Sequence, residues 1–349
     1  MTLQRPQFLK QKNMVRVLYA LAPVALAGIY FFGWRVVAIL AVSAVFGFLV
    51  EWIMASQRKG KVSMACFVTT TLYALSLPPT TPFWIVAVGI IVALLFAKEV
   101  FGGFGKNVFN PAVVGRAFVY VCFPAEMTGG FVPAFRGFPG GFAQWSFASA
   151  SSVPDYLSQA GLKITDAITA ATPMWSFRDF GFTTKLKDLF TGSIGEAMQV
   201  GGRSMALAAG SIGEVSALIL ILCGIYFIAT KTANWKLMLS AILGAVVMEG
   251  FFLLFPGVTP VPSIPFSLFS GAFLYATVFM VTDPVSAPKQ SLSQWIYGAF
   301  IGAMIIFLRY KSVFAGGVGF AILLGNILSP SLDLWIKRIK EPAKEGAKA

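Results

Sequence analysis

Histidine is absent from this chain of 349 residues, and only three cysteines are present. The lack of histidine excludes bis-histidine haem ligation, histidine metal sites and acid–base catalysis by an imidazole. No Cys-x-x-Cys pair occurs, so we expect no metal site built from the chain's own thiolates. Cys66, Cys122 and Cys223 each lie inside an apolar run, which predicts that they are small buried hydrophobic residues.

Charge is also scarce, because only 12% of the residues are charged whereas 57% are hydrophobic. Soluble globular proteins carry about twice that charged fraction. A chain of this composition cannot cover itself with polar surface, which predicts an all-α polytopic protein embedded in a lipid bilayer. The net charge of +13 is typical of the basic cytoplasmic loops of such proteins and does not indicate a nucleic-acid partner.

Apolar runs that approach the length of a membrane-spanning helix, about 17–25 residues, predict ten helices in two groups of five. The runs lie at 15–32, 35–56, 62–77, 82–98 and 111–126, then at 213–230, 235–255, 263–281, 292–308 and 313–330. The first run continues past its Ala-x-Ala triplets, so we interpret it as an uncleaved span and not as a signal peptide.

The two groups of helices predict an inverted repeat. Short runs at 62–77 and 111–126 end in proline, and short or broken segments at matching places are typical of inverted-repeat transporters. Leu72-Tyr73-Ala74 recurs as Leu274-Tyr275-Ala276 in the second group. The predicted organisation is a five-helix repeat (1–126), a hydrophilic loop (127–212), a second five-helix repeat (213–335) and a basic tail (336–349).

The distribution of lysine and arginine predicts the orientation in the membrane. With the N-terminus inside, seventeen of these residues fall in cytoplasmic segments, and only Arg35, Arg309 and Lys311 fall in short outer loops. We therefore expect a protein of the inner (cytoplasmic) membrane with both termini in the cytoplasm. The loop 127–212 follows five spans and is expected on the extracytoplasmic side.

Two motifs contain the residues expected to bind a ligand. Gly102-Gly103-Phe104-Gly105-Lys106-Asn107-Val108-Phe109-Asn110-Pro111 joins a glycine-rich turn to a helix start, where free N–H groups and two amides form a pocket for a polar planar ligand. The alternative is a simple turn with Asn110 as N-cap. Asp283 in Val281-Thr282-Asp283-Pro284-Val285-Ser286 either caps a helix or contributes to that pocket.

Acidic residues in or near apolar runs are candidates for an ion pathway, because an unpaired charge there costs about 2.5–3.5 kcal/mol or more. Glu249 lies deepest in its run and is the best candidate. Glu51 is the second candidate, although Glu51, Glu99 and Glu126 are more typical of positions at the membrane interface. Glu214, in Gly210-Ser211-Ile212-Gly213-Glu214-Val215-Ser216, is expected in the first turn of the sixth helix.

The segment Asp166-Ala-Ile-Thr169-Ala-Ala171-Thr172-Pro173 stands in the long polar loop. Its plain interpretation is a turn, because Pro173 disfavours a helical conformation at Thr172. The segment also resembles the acceptor site to which a flavin transferase attaches FMN through its phosphate, although alanine stands at 167 and 170 where those acceptors usually have glycine.

Together, the four motifs and the span pattern resemble the family of membrane subunits called B in the sodium-pumping NADH:quinone reductase and D in the Rnf ferredoxin:NAD oxidoreductase. The resemblance covers about residues 15–330. The chain's length is similar to the D type, whereas Gly115-Arg116-Ala117-Phe118 is similar to the B type, and the two assignments stay open.

The resemblance implies a subunit of a respiratory oxidoreductase that moves electrons and couples them to Na⁺ or H⁺ transport. It implies covalent FMN on Thr172, with Asp166, Thr169 and Ala171 in the attachment motif, and a second, non-covalent flavin, riboflavin, among the helices. It also implies the other subunits of the complex and a flavin transferase as partners. The alternative is a passive small-solute channel or transporter of inverted-repeat type without redox activity.

Overall fold

The fold is a bundle of apolar helices with a polar segment packed on one end. A computed structural model describes residues 7–150, 155–162, 172–200, 202–255, 262–312 and 317–340. Five helices in these ranges are long and apolar enough to cross a membrane, and three further apolar helices are shorter. The predicted class, an all-α polytopic membrane protein, is confirmed.

The helices of the described ranges follow the apolar runs of the sequence. The first five runs contain α1 (Lys12–Phe32), α2 (Arg35–Gln57), α3 (Ala65–Leu75), α4 (Phe83–Leu94) and α5 (Pro111–Cys122), with α6 (Pro124–Thr128) after α5. The polar segment contains α7 (Asp155–Ser158), α8 (Pro173–Phe180) and α9 (Leu186–Thr191). The last five runs contain α10 (Ala217–Ala229), α11 (Trp235–Leu254), α12 (Ile264–Phe269), α13 (Phe273–Tyr275), α14 (Ser291–Lys311) and α15 (Val318–Lys340).

Several predicted spans are shorter than expected or interrupted. Helix α3 stops at Leu75 before the pair Pro78-Pro79, and the run 263–281 is divided between α12 and α13 at Gly271, whose φ of +62° no regular helix contains. Helices α4 and α13 each continue into a π-helical turn, Leu95–Glu99 and Ala276–Met280. Such turns are uncommon and occur frequently at functional sites.

Small residues let the long helices of the second half approach closely. A Cβ atom on Gly244 of α11 would lie 2.1 Å from the carbonyl oxygen of Ala299 in α14, and one on Gly302 of α14 would lie 1.9 Å from that of Ala241. Lipid supplies no hydrophobic force between helices, so tight backbone packing of this kind is what holds membrane helices together.

The polar segment is fastened to the helix ends by backbone hydrogen bonds. Phe135 N–H donates to the carbonyl of Phe31 (2.8 Å), and Gly213 N–H donates to that of Leu75 (2.7 Å). Two short strands in it, β3 (Ala197–Val200) and β4 (Arg203–Ala206), form an antiparallel hairpin. At the opposite end of the bundle β1 (Phe8–Leu9) and β2 (Val62–Ser63) pair in parallel.

The cysteine prediction is correct for two of the three residues. Cys66 and Cys223 are buried, whereas Cys122 is exposed. Cys122 is the last residue of α5 and is not among the buried residues of that helix.

Candidate functional site

Thr172 is the last residue before α8 and is partly buried. Its backbone is extended (φ −67°, ψ 159°), as expected before a proline, and its side chain accepts no capping hydrogen bond from α8. Asp166, Thr169 and Ala171, the other residues of the predicted attachment motif, lie outside the described residues.

Thr172 lines a cavity, which we call the loop-side cavity. Its wall combines polar-segment residues with residues of both halves of the bundle, among them Arg116, Tyr120, Trp175, Glu214 and Arg309. Two of the sequence motifs, Gly115-Arg116-Ala117-Phe118 and Gly210-Ser211-Ile212-Gly213-Glu214, therefore meet the candidate acceptor at one place. The order of the residues along the chain did not predict this convergence.

The two arginines of this cavity are held by uncharged groups. Arg309 is only 2% exposed and donates to the carbonyl oxygens of Ser267 (2.5 Å) and Ser270 (2.9 Å). Arg116 donates to the hydroxyl of Ser211 (3.3 Å). None of the ion pairs among the described residues includes either guanidinium group.

The expectation that Glu214 stands in the first turn of the sixth helix is wrong. Helix α10 begins at Ala217, and Glu214 lies in a turn before it. The backbone N–H groups of Ile212 and Gly213 donate to the carbonyls of Leu77 and Leu75, so this segment is fastened to the end of α3. The turn directs the Glu214 carboxylate to the cavity wall.

Aromatic rings form part of the same wall. Trp175, in the first turns of α8, donates its indole N–H to Asp179 one turn later, which fixes the ring beside Thr172. The hydrogen bond from Arg178 holds the pKa of the Asp179 carboxyl below its ordinary value, so the carboxylate stays ionised as the acceptor of that indole. Tyr120 and Phe131 line the other parts of the cavity.

A second cavity lies near the glycine-rich turn, and we call it the glycine-side cavity. Asn107, Asn110 and Asp283, three of the predicted pocket residues, line it together with Thr69 and Lys98. Helix α5 connects the two cavities, because Asn110 caps its start and Arg116 follows six residues later, about 9 Å along the axis.

Asn110 is an N-cap, as the plainer of the two interpretations of the motif predicts, and it also lines the glycine-side cavity. Its side-chain oxygen accepts from the N–H groups of Ala112 (3.0 Å) and Val113 (3.5 Å), which is an N-cap, while the residue also lines the cavity. The Asn110 N–H donates to Asn326 of α15, which ties the two halves together. Asp283 accepts from the N–H of Val285 (3.2 Å) and closes a turn.

Of the three glycines predicted to form the pocket, only Gly105 lies beside the glycine-side cavity. Gly105 lines a cleft beside the glycine-side cavity with Lys12 and Lys289. Gly102 and Gly103 line neither cavity. Both have positive φ (+106° and +93°), and they make the turn in which Lys106 and Arg58 pack closely against them. These two glycines therefore allow the backbone to turn toward the start of α5.

The intramembrane carboxylates are paired or hydrogen-bonded. Glu51 is 3% exposed, bonds to Lys98 at 2.5 Å and accepts from the Ser63 hydroxyl at 2.6 Å. Glu99 is likewise buried and pairs with Arg58. Their charges are tolerated in the interior because each has a cation as partner.

Glu249 forms a related cluster at the other end of the bundle. One of its carboxylate oxygens accepts from the hydroxyls of Ser267 and Tyr310. The other is buried and has no hydrogen-bond partner among the described residues. The importance of Lys98, Ser63 and Ser267 was not predicted, because the sequence does not show which intramembrane charges and hydroxyls meet.

Comparison with protein families completes this description. The model of the NQR2, RnfD, RnfE family matches residues 4–340. The chain belongs to this family. The match includes every helix described above and all the residues that line the two cavities.

Three curated relatives all carry the name of the subunit called B of the Na⁺-translocating NADH-quinone reductase. The protein of Azotobacter vinelandii is 34% identical over 303 residues, which cover 85% of this chain and 66% of the relative. The protein of Pseudomonas aeruginosa (strain LESB58) is 35% identical over 82% of this chain and 63% of the relative. For Neisseria meningitidis the identity is 34% over the same shares. The chain thus spans slightly less than two thirds of the length of these relatives.

Proposed function

We propose that the chain is the membrane subunit of an ion-translocating electron transport complex of the Nqr or Rnf type, with covalent FMN on Thr172 and riboflavin in the glycine-side cavity. The observation that carries the proposal is the position of Thr172 on a cavity with two arginines, in a chain of this family. Bound flavins would supply one- and two-electron chemistry. The complete reaction, NADH:quinone or ferredoxin:NAD oxidoreduction, requires other subunits.

The residues of the loop-side cavity fit a flavin attached through phosphate. Thr172 offers a partly exposed hydroxyl that α8 does not use as a cap. Arg116 and Arg309 would face an anion, and Trp175, Tyr120 and Phe131 offer flat surfaces for a ring. A flavin transferase would form the bond during maturation.

The residues of the glycine-side cavity fit a neutral flavin. Asn107, Asn110 and Thr69 present amide and hydroxyl groups, and Asp283 presents a carboxylate, in a cavity whose remaining wall is mostly apolar. These residues would bind the polar edge of an isoalloxazine or the hydroxyls of a ribityl chain. Gly105 would border the opening.

For the ion pathway we propose Glu249 and, as the second candidate, Glu51. Glu249 is the better one, because one of its buried oxygens has no partner among the described residues and two hydroxyls lie next to the other. Glu51 already bonds to Lys98, so an ion would have to displace that lysine.

The proposed architecture is an inverted repeat of two groups of five helices. The protein would lie in the inner membrane of the cell, with both termini in the cytoplasm. A shift of 211 positions aligns 84–99 with 295–310 and matches Trp84, Ile85, Ile90 and Phe96 with identical residues. The same shift places Lys98 on Arg309. Each of these cations lies near a serine and a glutamate, at opposite ends of the bundle, which supports the repeat.

The attachment site is tested by co-expression with a flavin transferase and in-gel fluorescence of the denatured protein. We expect a fluorescent band for the unchanged chain and for Thr169→Ala, and none for Thr172→Ala, because only Thr172 would supply the bonded oxygen. An immunoblot of the membrane fraction verifies equal amounts of protein. A band that persists in Thr172→Ala would rule out this residue as the acceptor.

A further inference from the structure

The loop-side cavity has an excess of positive charge. Arg116 and Arg309 line it, and Glu214 is the carboxylate among its described lining residues, which leaves a net charge of 2 − 1 = +1. Arg309 is 2% exposed and Glu214 is 9% exposed, so water screens these charges poorly. A buried charge without a counterion is costly, and an anion in the cavity would remove that cost.

Glu249 does not neutralise Arg309 by direct contact. The guanidinium group donates to the backbone carbonyl of Ser267, whereas Glu249 accepts from the hydroxyl of that same serine. No carboxylate of the described residues comes within 4.0 Å of Arg309 in the ion pairs of the fold. The fixed bonds to Ser267 and Ser270 instead hold the guanidinium group at the cavity wall.

In the proposed internal repeat, the residue equivalent to Arg309 is a cation that has a carboxylate partner. Lys98 aligns with Arg309 and lines the glycine-side cavity, but its ammonium group bonds directly to Glu51. Lys98 and Glu51 therefore form a neutral pair at the glycine-side cavity, whereas Arg309 at the loop-side cavity has no direct carboxylate partner among the described residues. This difference distinguishes the two cavities by the charge of the ligand that each would accept.

We propose that Arg116 and Arg309 form an anion site for the flavin on Thr172, in which they face its phosphodiester and the ring that becomes more negative on reduction, while Glu214 opposes them. This inference rests on the proposed function, because it requires flavin at Thr172. The two arginines then stabilise the reduced flavin relative to the oxidised flavin, and Glu214 has the opposite effect.

The test is a spectroscopic redox titration of the purified, flavinylated full-length chain with dithionite as reductant. The titration of Thr172→Ala, which would hold only the non-covalent flavin, is subtracted to isolate the covalent one. We expect Arg116→Gln to shift the midpoint potential of the covalent flavin to lower values and Glu214→Gln to shift it to higher values. Arg136→Gln, at an exposed arginine of the same polar segment, is the control and should leave the potential unchanged.

Arg309→Lys is a second variant, because it keeps the charge but not the two anchoring bonds and folds more readily than a neutral replacement. Its potential should stay close to that of the unchanged chain, while that of Arg309→Gln falls as for Arg116→Gln. The inference is overturned if the fluorescent band is present and neither Arg116→Gln nor Glu214→Gln shifts the potential, or if both shift it in one direction. Absence of the band in the unchanged chain would instead overturn the proposed function.

Discussion

At the scale of single residues, glycines at helix crossings decide how closely the long helices approach. Gly244→Ala in α11 would bring a methyl group against the backbone of Ala299 in α14, since the added Cβ would lie 2.1 Å from its carbonyl oxygen. We expect this overpacking to destabilise the protein by about 1–3 kcal/mol. The measurement is the Tm of the purified protein in detergent.

Gly250→Ala in the same helix is the matched control, because nothing lies within 4 Å of the added Cβ. Both substitutions gain the same helix propensity, about 1 kcal/mol in favour of alanine. Any difference between the two Tm values therefore reports the contact with Ala299. Equal Tm values would show that α11 and α14 do not pack at Gly244.

Single residues also show what the sequence could predict about the site. The N-cap formed by Asn110 was predictable, because asparagine is a favoured cap and proline is favoured at the first position of a helix. The place of Glu214 was not, because it lies in a turn that hydrogen bonds from Ile212 and Gly213 fasten to the end of α3, and the local sequence does not show these long-range bonds. The contacts of Lys98 with Glu51 join residues 47 positions apart, and local pattern carries no information about them.

At the scale of the elements, the Glu51–Lys98 pair fastens the end of α2 to the π-helical turn after α4. Lys98→Met would remove the cation that pairs with Glu51. The buried carboxylate would keep only the hydrogen bonds from the backbone N–H and the hydroxyl of Ser63. Breaking one partner of a buried pair costs about 3–5 kcal/mol, so we expect a marked fall in Tm. Replacing both, by Glu51→Gln with Lys98→Met, should restore part of the loss, because no unpaired charge remains.

The exposed pair Lys185–Glu196 is the control for this cycle. The side chain of Lys185 is 74% exposed, and solvent screens its attraction to Glu196. Lys185→Met should therefore leave the Tm unchanged within error. A Lys98→Met protein as stable as the unchanged chain would show that the buried pair does not hold α2 to α4.

The elements also mark the limit of prediction from pattern. The hydrophobic runs predicted where helices lie, and the prolines at 78–79 and 124 predicted where two of them end. The turns at Leu95–Glu99 and Ala276–Met280 were not predicted, since π-helical geometry depends on packing and not on a residue type. Both turns border the glycine-side cavity through Lys98 and Phe279, so the unpredicted geometry lies at the candidate site.

At the scale of the whole molecule, the orientation depends on a charge count that the structure refines. Lys98 and Arg309 are buried in the clusters described above and do not belong to the loops. Without them, the number of lysines and arginines is 17 − 1 = 16 on the side of the two termini and 3 − 1 = 2 in the short loops on the other side. The excess of positive charge on the side of the termini therefore persists. We therefore predict that the polar segment with Thr172 faces away from the cytoplasm.

Two single cysteines on opposite ends of the bundle test this orientation. Phe138 of the polar segment is 92% exposed, and Lys289 at the other end is exposed as well. In a Cys122→Ser background, whose remaining cysteines are buried, a membrane-impermeant maleimide should label Phe138→Cys in right-side-out vesicles. It should label Lys289→Cys only after permeabilisation. The reverse pattern would place Thr172 on the cytoplasmic side, where a flavin transferase acting outside the membrane could not reach it.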